Sequence, residues 1–319
     1  MNVVKTGIIG IGNMGSAHFH SILAGKIPGM TVTAVCDIDP EKRSAVKAQA
    51  PELAVLEDYT ELLKSSDTDA VIIAVPHPLH AKIAIDAFHA GKHVLVEKPM
   101  DITVSAAERL CAAAKESGKI FGIMLNQRTN PLFREARRIV QNGELGELKR
   151  SVWIITNWYR TQSYYSSGGW RATWKGEGGG VLLNQAPHNL DLWQWICGRP
   201  TAVTVFCNEG KFHPIEVEDE ATLYAEYENG ATGVFITSTG DCPGTNRLEI
   251  TGTRGKMVLE NGLLKLWKLK EDERHICRYS TEGFVHPETE YSEQAAGKKT
   301  VMRASFRISP APSCMARRF

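Results

Sequence analysis

His188 is a candidate general base. Asn184 lies four residues before it in a segment predicted to be helical, so both side chains are expected on one helix face. Hydride transfer from an alcohol needs a base that takes the hydroxyl proton, and imidazole titrates near neutral pH. Asp191 follows three residues later and would either orient this pair or form a structural cap or salt bridge. The alternative for His188 is a helix histidine satisfied by the backbone.

A glycine-rich turn near the start of the chain would bind the hydride acceptor. Gly10, Gly12 and Gly15 fit the spacing G-x-G-x-x-G between a predicted strand and a predicted helix. The first glycine permits a tight turn, the second lets a pyrophosphate approach the backbone, and the third lets helix and strand pack closely. Asp37 closes the next apolar run, 22 positions after Gly15, and would bond the adenosine ribose hydroxyls, which favours NAD over NADP. The alternative is a glycine-rich turn in another kind of α/β protein.

Strands and helices alternate over the first 125 residues. Strands are predicted at 3–9, 32–36, 69–76, 93–97 and 120–125, and helices at 14–24, 40–50, 59–65, 80–90 and 104–117. This alternation predicts a doubly wound parallel sheet. Later strands are predicted at 148–159, 202–208, 221–227, 231–239, 247–251 and 256–260, with Glu228-Asn229-Gly230 as a hairpin turn.

The composition narrows the class of protein. The chain has 319 residues, enough for two domains, and a formal net charge of +1 with scattered basic residues, so no nucleic-acid partner is indicated. Its seven cysteines show no C-x-x-C spacing, and its histidines and cysteines lack metal-ligand spacing, so we expect reduced thiols and no metal site. The first strand is predicted to begin almost at Met1, and no apolar run approaches the roughly 18 residues of a membrane helix. We therefore expect a cytoplasmic protein that does not contact membranes.

Four further segments carry a specific family resemblance. They are Val75-Pro76-His77-Pro78-Leu79-His80, residues 90–99 ending in Glu97-Lys98-Pro99, Asn142-Gly143-Glu144-Leu145-Gly146, and residues 178–191. Together with the glycine-rich turn they resemble the Gfo/Idh/MocA family, the group of glucose–fructose oxidoreductase and inositol dehydrogenase. The resemblance extends over about residues 1–298.

The resemblance implies two domains. Residues 1–125 would form an NAD-binding α/β Rossmann domain with a doubly wound parallel sheet. Residues 126–299 would form an α+β substrate and oligomerisation domain with a large open, mainly antiparallel sheet. The family forms dimers or tetramers through that sheet, so a homodimer or homotetramer is expected. Residues 300–319 are set apart as an atypical tail.

The resemblance also implies the site residues. Lys98 and His188 would flank the reacting carbon as catalytic residues, with Lys98 polarising the substrate oxygen and contacting the nicotinamide ribose. The family's peptide bond before the proline that matches Pro99 is often cis and would aim Lys98 into the cleft. Many members carry Asp where this chain has Asn184, and an amide cannot take a proton, so the proton would rest on His188 or Lys98. The cofactor-binding residues would be Gly10, Gly12, Asn13, Met14, Gly15, Asp37, Ile38, Val75, Pro76, His80, Glu97, Lys98 and Asn126. For His80 a role at the helix start is the alternative.

An aromatic segment precedes His188 and is expected to line the same cleft. Residues 153–174 hold four of the seven tryptophans. Flat rings with polar edges suit the C–H faces of sugars. Core or oligomer-interface aromatics are the alternative. The substrate-binding candidates are Lys98, Arg160, Arg171, Trp174, Asn184 and His188.

These observations predict an NAD-dependent dehydrogenase or reductase. It would transfer a hydride between nicotinamide and a secondary hydroxyl of a sugar, glycoside or inositol-like polyol. One alternative is a glycoside hydrolase or lyase of the same family, in which bound NAD oxidises the sugar transiently and is regenerated. Another is a non-catalytic NAD-binding sensor, against which the presence of Lys98 and His188 argues.

The last twenty residues, from Thr300 to Phe319, break the pattern. They contain arginines and two prolines without a helical stripe, whereas family members continue with further helices. Ala304 to Phe319 can be encoded by several sets of synonymous codons. One such set, read in a frame shifted by two nucleotides, encodes an amphipathic sequence that resembles the family's helix at this point. We expect either a frameshift that truncates the chain, giving a poorly stable, aggregation-prone or weakly active product, or a natural variable tail.

Overall fold

Six parallel strands form the first sheet of the computed structural model, which describes residues 3–296 and 298–300. They are β1 (Val4–Ile9), β2 (Met30–Cys36), β3 (Ala54–Leu56), β4 (Ala70–Ile73), β5 (His93–Val96) and β6 (Phe121–Ile123). Their order across the sheet is β3-β2-β1-β4-β5-β6, so the strand order reverses between β1 and β4. Ligands of such sheets bind outside the carboxyl ends of the strands beside this reversal. The predicted doubly wound sheet is confirmed, and β3 is a strand that the sequence pattern did not reveal.

Helices cover both faces of this sheet. They are α1 (Asn13–Leu23), α2 (Pro40–Gln49), α3 (Tyr59–Lys64), α4 (His80–His89) and α5 (Val104–Ser117). Neighbouring β1 residues Ile8 and Ile9 belong to separate buried clusters, because successive strand side chains point to opposite faces. Local chemistry sets the helix ends: the carboxylate of Asp39 caps the start of α2, and Gly118 follows α5 with a left-handed φ of 63°.

Nine strands form the second sheet. They are β7 (Leu148–Ile155), β8 (Ala202–Glu209), β9 (Glu218–Glu226), β10 (Thr232–Ser238), β11 (Asn246–Gly252), β12 (Gly255–Glu260), β13 (Leu263–Leu269), β14 (Thr289–Ala295) and β15 (Lys298–Thr300). Their order is β15-β14-β13-β12-β11-β7-β10-β9-β8. Only β7 and β10 pair in parallel, so the predicted mainly antiparallel sheet is confirmed.

Two helices, α6 (Pro131–Gln141) and α8 (Pro187–Cys197), pack on one face of the second sheet. Trp153 of β7 and Phe235 of β10 lie at the centre of this core and are completely buried. The Trp193 ring from α8 packs beside Phe235 with ring centroids 5.5 Å apart. Two short helices, α7 (Gln162–Ser166) and α9 (Glu273–Tyr279), complete the described α-helices.

Most predicted elements are confirmed within a few residues, but two predictions need correction and several elements were not predicted. Strand β7 ends at Ile155 and does not reach Tyr159. The strands β13 to β15 and the helix α6 were not predicted. The predicted helix with Asn184 and His188 on one face is wrong, because α8 begins only at Pro187, which lacks the N–H needed to continue a helix.

The domain boundary near residue 125 stays a prediction. The frameshift hypothesis concerns residues 301–319, which lie outside the described part of the chain.

Candidate active site

The glycine-rich turn has the geometry of a pyrophosphate cradle. Gly10 adopts a φ of +91°, and a Cβ there would lie 2.6 Å from a carbonyl oxygen just after β4. A Cβ on Gly15 would lie 1.8 Å from the Gly10 oxygen, whereas one on Gly12 would meet no described atom within 4 Å. The backbone is therefore open at Gly12, where a pyrophosphate would approach. Helix α1 begins next with Asn13 and Met14, and the Gly12 that precedes it offers no side-chain cap, so the first N–H groups can face an anion.

Asp37 lies beside this turn at the end of β2. Its Oδ2 accepts a hydrogen bond from the Ile11 backbone N–H at 2.6 Å, and its Oδ1 accepts one from the Asp39 N–H at 2.9 Å. The carboxylate is 8% exposed, while the next residue, Ile38, is 83% exposed. A carboxylate oxygen can accept more than one hydrogen bond, so Asp37 can hold the turn and also bond a ribose hydroxyl.

His80 ties the end of β4 to the Glu-Lys-Pro segment. Its Nε2 lies 2.8 Å from the Val75 oxygen, its Nδ1 lies 2.6 Å from the Pro99 oxygen, and the ring is fully buried. Pro76 follows Val75, and the Lys98–Pro99 peptide bond is cis. His80 therefore holds the segment after β4 and the Glu-Lys-Pro segment together. Its proximity to the cofactor stays a prediction.

Glu97 joins the same segment to α1. The His18 Nε2 lies 2.8 Å from the Glu97 Oε1, and the Glu97 Oε2 accepts the Lys98 backbone N–H at 3.3 Å. Glu97 is only 6% exposed. The contact fixes the glycine-rich turn relative to Lys98, and the sequence analysis missed His18 because no local pattern marks its partner 79 positions away.

Lys98 reaches from the first sheet to the loop that precedes α8. Its Nζ donates to the Asn184 backbone oxygen at 2.8 Å and lies 3.4 Å from the Asn184 Oδ1. Burial lowers the pKa of Lys98, and the carboxylates of Glu97 and Glu177 oppose that shift. The structure thus brings together two predicted site residues that are 86 positions apart.

His188 is the second residue of α8. Its buried Nδ1 has no hydrogen-bond partner among the described residues. Burial lowers the pKa of His188 below its usual 6.5, and the nearby positive charge of Lys98 lowers it further. The imidazole is therefore neutral at pH 7 and able to accept a proton.

Asp191 forms a salt bridge, as one of its two sequence interpretations predicted. Its Oδ2 accepts from the Arg128 Nε at 2.7 Å and its Oδ1 from the Arg128 Nη2 at 2.5 Å. Arg128 belongs to the short 3-10 helix Asn126–Thr129 that follows β6. The bridge holds the chain segment between the sheets against α8, and Asn126 lies exposed at the start of that segment.

The aromatic segment divides between core and surface. Trp153 is completely buried under the second sheet, so the core alternative is correct for this residue. Trp174 is 49% exposed, and its backbone N–H donates to the Glu216 Oε2 at 3.3 Å. A role of Trp174 in substrate binding stays a prediction.

Two arginines stack on the aromatic rings of this segment. The Arg171 guanidinium lies 4.5 Å from the Trp170 ring and 4.7 Å from the Tyr164 ring. The Arg160 guanidinium lies 5.0 Å from the same tyrosine ring. Trp170 in turn meets His77 edge-on at 5.0 Å, which connects the segment to the loop after β4. Arg171 is thus fixed close to Asn184, because its Nη1 and the Asn184 Nδ2 both donate to the Tyr164 hydroxyl, at 3.0 and 3.3 Å.

Glu177 is the second residue that the sequence analysis missed. It is 1% exposed, and its carboxylate accepts a hydrogen bond from the Asn184 side-chain amide. The available signal was an acidic residue directly before the glycine run 178–180 and seven residues before Asn184.

The fold and the site define the class of protein. A parallel sheet with an open glycine turn and an acid at the end of β2 is an NAD-binding arrangement, and a neutral histidine beside a lysine suits proton transfer. Comparison with known proteins agrees. A model described as the oxidoreductase family with NAD-binding Rossmann fold matches residues 4–125, and one for the GFO/IDH/MocA C-terminal domain matches residues 133–258. The chain belongs to the Gfo/Idh/MocA family and is an NAD-dependent dehydrogenase acting on CH–OH groups.

Named relatives cover most of this chain. Levoglucosan dehydrogenase of Pseudarthrobacter phenanthrenivorans is 27% identical, over 81% of this chain and 74% of its own length. The scyllo-inositol 2-dehydrogenase (NAD+) of Bacillus subtilis is 27% identical, over 80% and 73%. Among solved structures, the WlbA dehydrogenase of Chromobacterium violaceum in complex with NADH and UDP-GlcNAcA superposes with a TM-score of 0.79 at 27% identity, over 90% of this chain and 84% of that chain.

Two features are absent from the described residues. No helix there has the length and apolar character needed to cross a membrane. The same residues contain no group of three or more His, Cys, Asp or Glu side chains that could hold a metal ion.

Proposed function

We propose that this dehydrogenase acts on a secondary hydroxyl of a sugar, glycoside or inositol-like polyol, with Lys98 and His188 as its catalytic residues. One observation carries the proposal: Lys98, just after β5, lies against Asn184 in the loop that leads to His188. The ammonium group of Lys98 thus lies against the segment that carries the neutral imidazole of His188, after a strand of the parallel sheet at whose carboxyl ends ligands of this fold bind.

Lys98 and His188 have different roles toward the substrate oxygen. Bound NAD supplies a hydride acceptor at C4 of its nicotinamide ring. His188 takes the hydroxyl proton as the carbon loses its hydride, so that the alcohol is oxidised to a ketone and one proton rests on the imidazole. Lys98 stabilises the negative charge that develops on the oxygen, and its own bond to the Asn184 carbonyl keeps the ammonium in place. In the reducing direction His188 returns the proton to the oxygen, and Lys98 stabilises the same developing negative charge.

The substrate class rests on the aromatic segment and on the relatives. Arg160 and Arg171 are held against the Tyr164 ring. One Nη1 donates to the Tyr159 oxygen and the other to the Tyr164 hydroxyl, so only the remaining N–H groups of the two arginines are available to ring hydroxyls. The named relatives act on, or are seen with, levoglucosan, an inositol and a nucleotide-linked sugar acid. The six cysteines of the described residues are unpaired, which supports a cytoplasmic location as part of the proposal.

A substrate screen tests the proposal. The protein is incubated with NAD+ and a panel of inositols, hexoses, anhydrosugars, glycosides and UDP-sugars, and NADH absorbance is followed at 340 nm, a wavelength at which only the reduced cofactor absorbs. We expect steady NADH production with at least one cyclic polyol and none with simple acyclic alcohols. Glycoside cleavage without net NADH would instead identify an NAD-cycling hydrolase or lyase. NAD binding with no turnover of any panel member would favour a sensor and would overturn the proposal.

A further inference from the structure

Glu177 is a buried carboxylate that the proposed mechanism leaves without a task. It lies in the loop that leads to α8, at 1% exposure, and touches no substrate candidate directly except Asn184. We propose that Glu177 is a positioning residue for Lys98 that acts through the side-chain amide of Asn184. It fixes that amide so that its oxygen, and not its nitrogen, faces the lysine. The inference rests on the proposed role of Lys98 and deepens it.

The donors and acceptors along this chain of contacts permit one orientation. An ionised carboxylate only accepts hydrogen bonds, and an ammonium group only donates them. The amide of Asn184 stands between the two: its Nδ2 donates to the Glu177 Oε1, and its Oδ1 lies 3.4 Å from the Lys98 Nζ. In a flipped amide, the Asn184 oxygen would face the Glu177 carboxylate and the Asn184 NH2 would face the Lys98 ammonium, and neither pair could form a hydrogen bond. The charges of Glu177 and Lys98 therefore select the observed orientation.

Glu177 is itself held from both domains. Its Oε2 accepts the Ala172 backbone N–H at 2.6 Å, and Ala172 adopts a left-handed φ of 57°, which is uncommon for a residue with a Cβ. Its backbone oxygen lies 3.2 Å from the Nδ1 of His77, which belongs to the loop after β4. A strained residue that aims its N–H at this carboxylate is the kind of feature that collects at functional sites.

The charges that face Lys98 come from several elements. Glu97 and Glu177 raise its pKa against the effect of burial, and Arg171 lowers it. Lys98 in turn lowers the pKa of His188 and of His77. Burial raises the pKa of Glu177, while the Ala172 N–H, the Asn184 amide, Arg171 and Lys98 act in the opposite direction. Removing the Glu177 charge therefore lowers the pKa of Lys98, so its ammonium form is lost at a lower pH.

The first test is Glu177→Gln, which keeps the shape and removes the charge. A glutamine can turn its NH2 toward Asn184 and release the amide to flip its nitrogen toward Lys98. We expect a roughly ten- to hundredfold loss of kcat, the size of one hydrogen bond to a charged group. The alkaline limb of the kcat profile, where Lys98 loses its proton, should move to lower pH.

The double variant E177Q/N184D exchanges the two functional groups. The carboxylate then lies next to Lys98 and the amide lies in the buried pocket, where its oxygen accepts the Ala172 N–H and its NH2 donates to the new carboxylate. We expect kcat and the alkaline limb to return most of the way to wild type. A matched control is Glu218→Gln, because Glu218 is a buried carboxylate of the same region that accepts the N–H groups of Gly180 and Leu182. This variant should lower the melting temperature and leave the alkaline limb in place.

A measurement without turnover separates this inference from the proposed function. Protein labelled with ¹³C at lysine Cε is titrated by NMR, and Lys98→Met identifies the Lys98 signal. The midpoint of that signal should fall in E177Q, recover in E177Q/N184D and stay unchanged in E218Q, whether or not a polyol substrate has been found. An unchanged Lys98 midpoint in folded E177Q would overturn the inference, as would a Lys98 midpoint in folded E177Q/N184D no higher than that in E177Q. If the screen finds no substrate while the midpoint moves as expected, the proposed function fails and the positioning of Lys98 stands.

Discussion

Burial acts in the same direction on Lys98 and His188 but has different consequences for the two residues. For His188 a lowered pKa keeps the ring neutral, which is the form a base needs. For Lys98 the same effect works against the ammonium form, and the carboxylates of Glu97 and Glu177 oppose it. The site therefore pairs a desolvated base with a cation that nearby negative charge preserves.

The pH dependence of His188 follows from this difference. The base works when the ring is neutral, and its pKa lies below 6.5, so kcat for alcohol oxidation should stay level down to a pH below 6.5 and fall only as the ring gains a proton. His188→Ala should remove this limb and lower kcat by about 10²–10⁴. NADH should still bind, measured by its fluorescence, because His188 lies outside the glycine-rich turn.

The matched control is His275→Ala, which removes an exposed histidine from α9. This variant should keep both turnover and the acid limb. Near wild-type kcat in the His188→Ala enzyme would contradict its role as the base.

At the scale of elements, the two glycines at the start of α1 differ in the room available for a Cβ atom. At Gly15 there is no room, because a Cβ there would lie 1.8 Å from the Gly10 oxygen, a backbone atom that cannot move aside cheaply. Gly12 has open space, since no described atom lies within 4 Å of a Cβ built there. One glycine thus lets the helix pack on the sheet, and the other leaves the backbone accessible to a cofactor.

Alanine substitutions separate these two needs. Gly15→Ala should lower the free energy of unfolding by roughly 1–3 kcal/mol, as overpacking in a rigid site does. Gly12→Ala should change it by no more than about 0.5 kcal/mol, as at other open positions, yet weaken NADH binding clearly. Urea unfolding and NADH fluorescence titrations measure both effects. The reverse pattern, with Gly12→Ala the less stable protein and the tighter binder, would contradict the assignment.

At the scale of the whole molecule, the second sheet has one face covered by α6 and α8 and another that carries ion pairs. Arg247 bonds both Glu249 and Glu260 on that second face. At the β8 edge of the same face, Phe206 is 66% and Tyr224 is 41% exposed. Aromatic side chains are enriched at surfaces that meet another protein, which fits the predicted homo-oligomer.

Sedimentation velocity tests whether this face joins copies of the chain. We expect the wild type to sediment as a dimer or tetramer. Phe206→Glu should shift it toward monomer, because a charge would be buried at the contact. Phe284→Glu is the matched control, since Phe284 is 99% exposed and lies outside the sheet. Equal assembly of both variants, or a monomeric wild type, would rule out a contact at Phe206.

The sequence by itself determined the first domain and the family. The spacing of Gly10, Gly12 and Gly15, the alternation of strands and helices, and helix-end residues such as Pro40 and Gly118 are local signals, and each acts through the backbone within a few residues. The same local signals failed before α8, where Asn184 was predicted to be helical although the helix begins only at Pro187. They also missed β3 and α6, whose stability comes from packing against other elements rather than from a clear pattern of their own.

Only the tertiary structure decided which groups meet. The contacts of His18 with Glu97 and of Lys98 with Asn184 join residues 79 and 86 positions apart. Asp191 contacts Arg128, and Glu177 contacts Asn184, because the fold brings them together; their separation along the sequence does not predict these contacts. Burial, which sets the pKa of His188 and Lys98, arises when separate segments exclude water together, so no single stretch of sequence contains it.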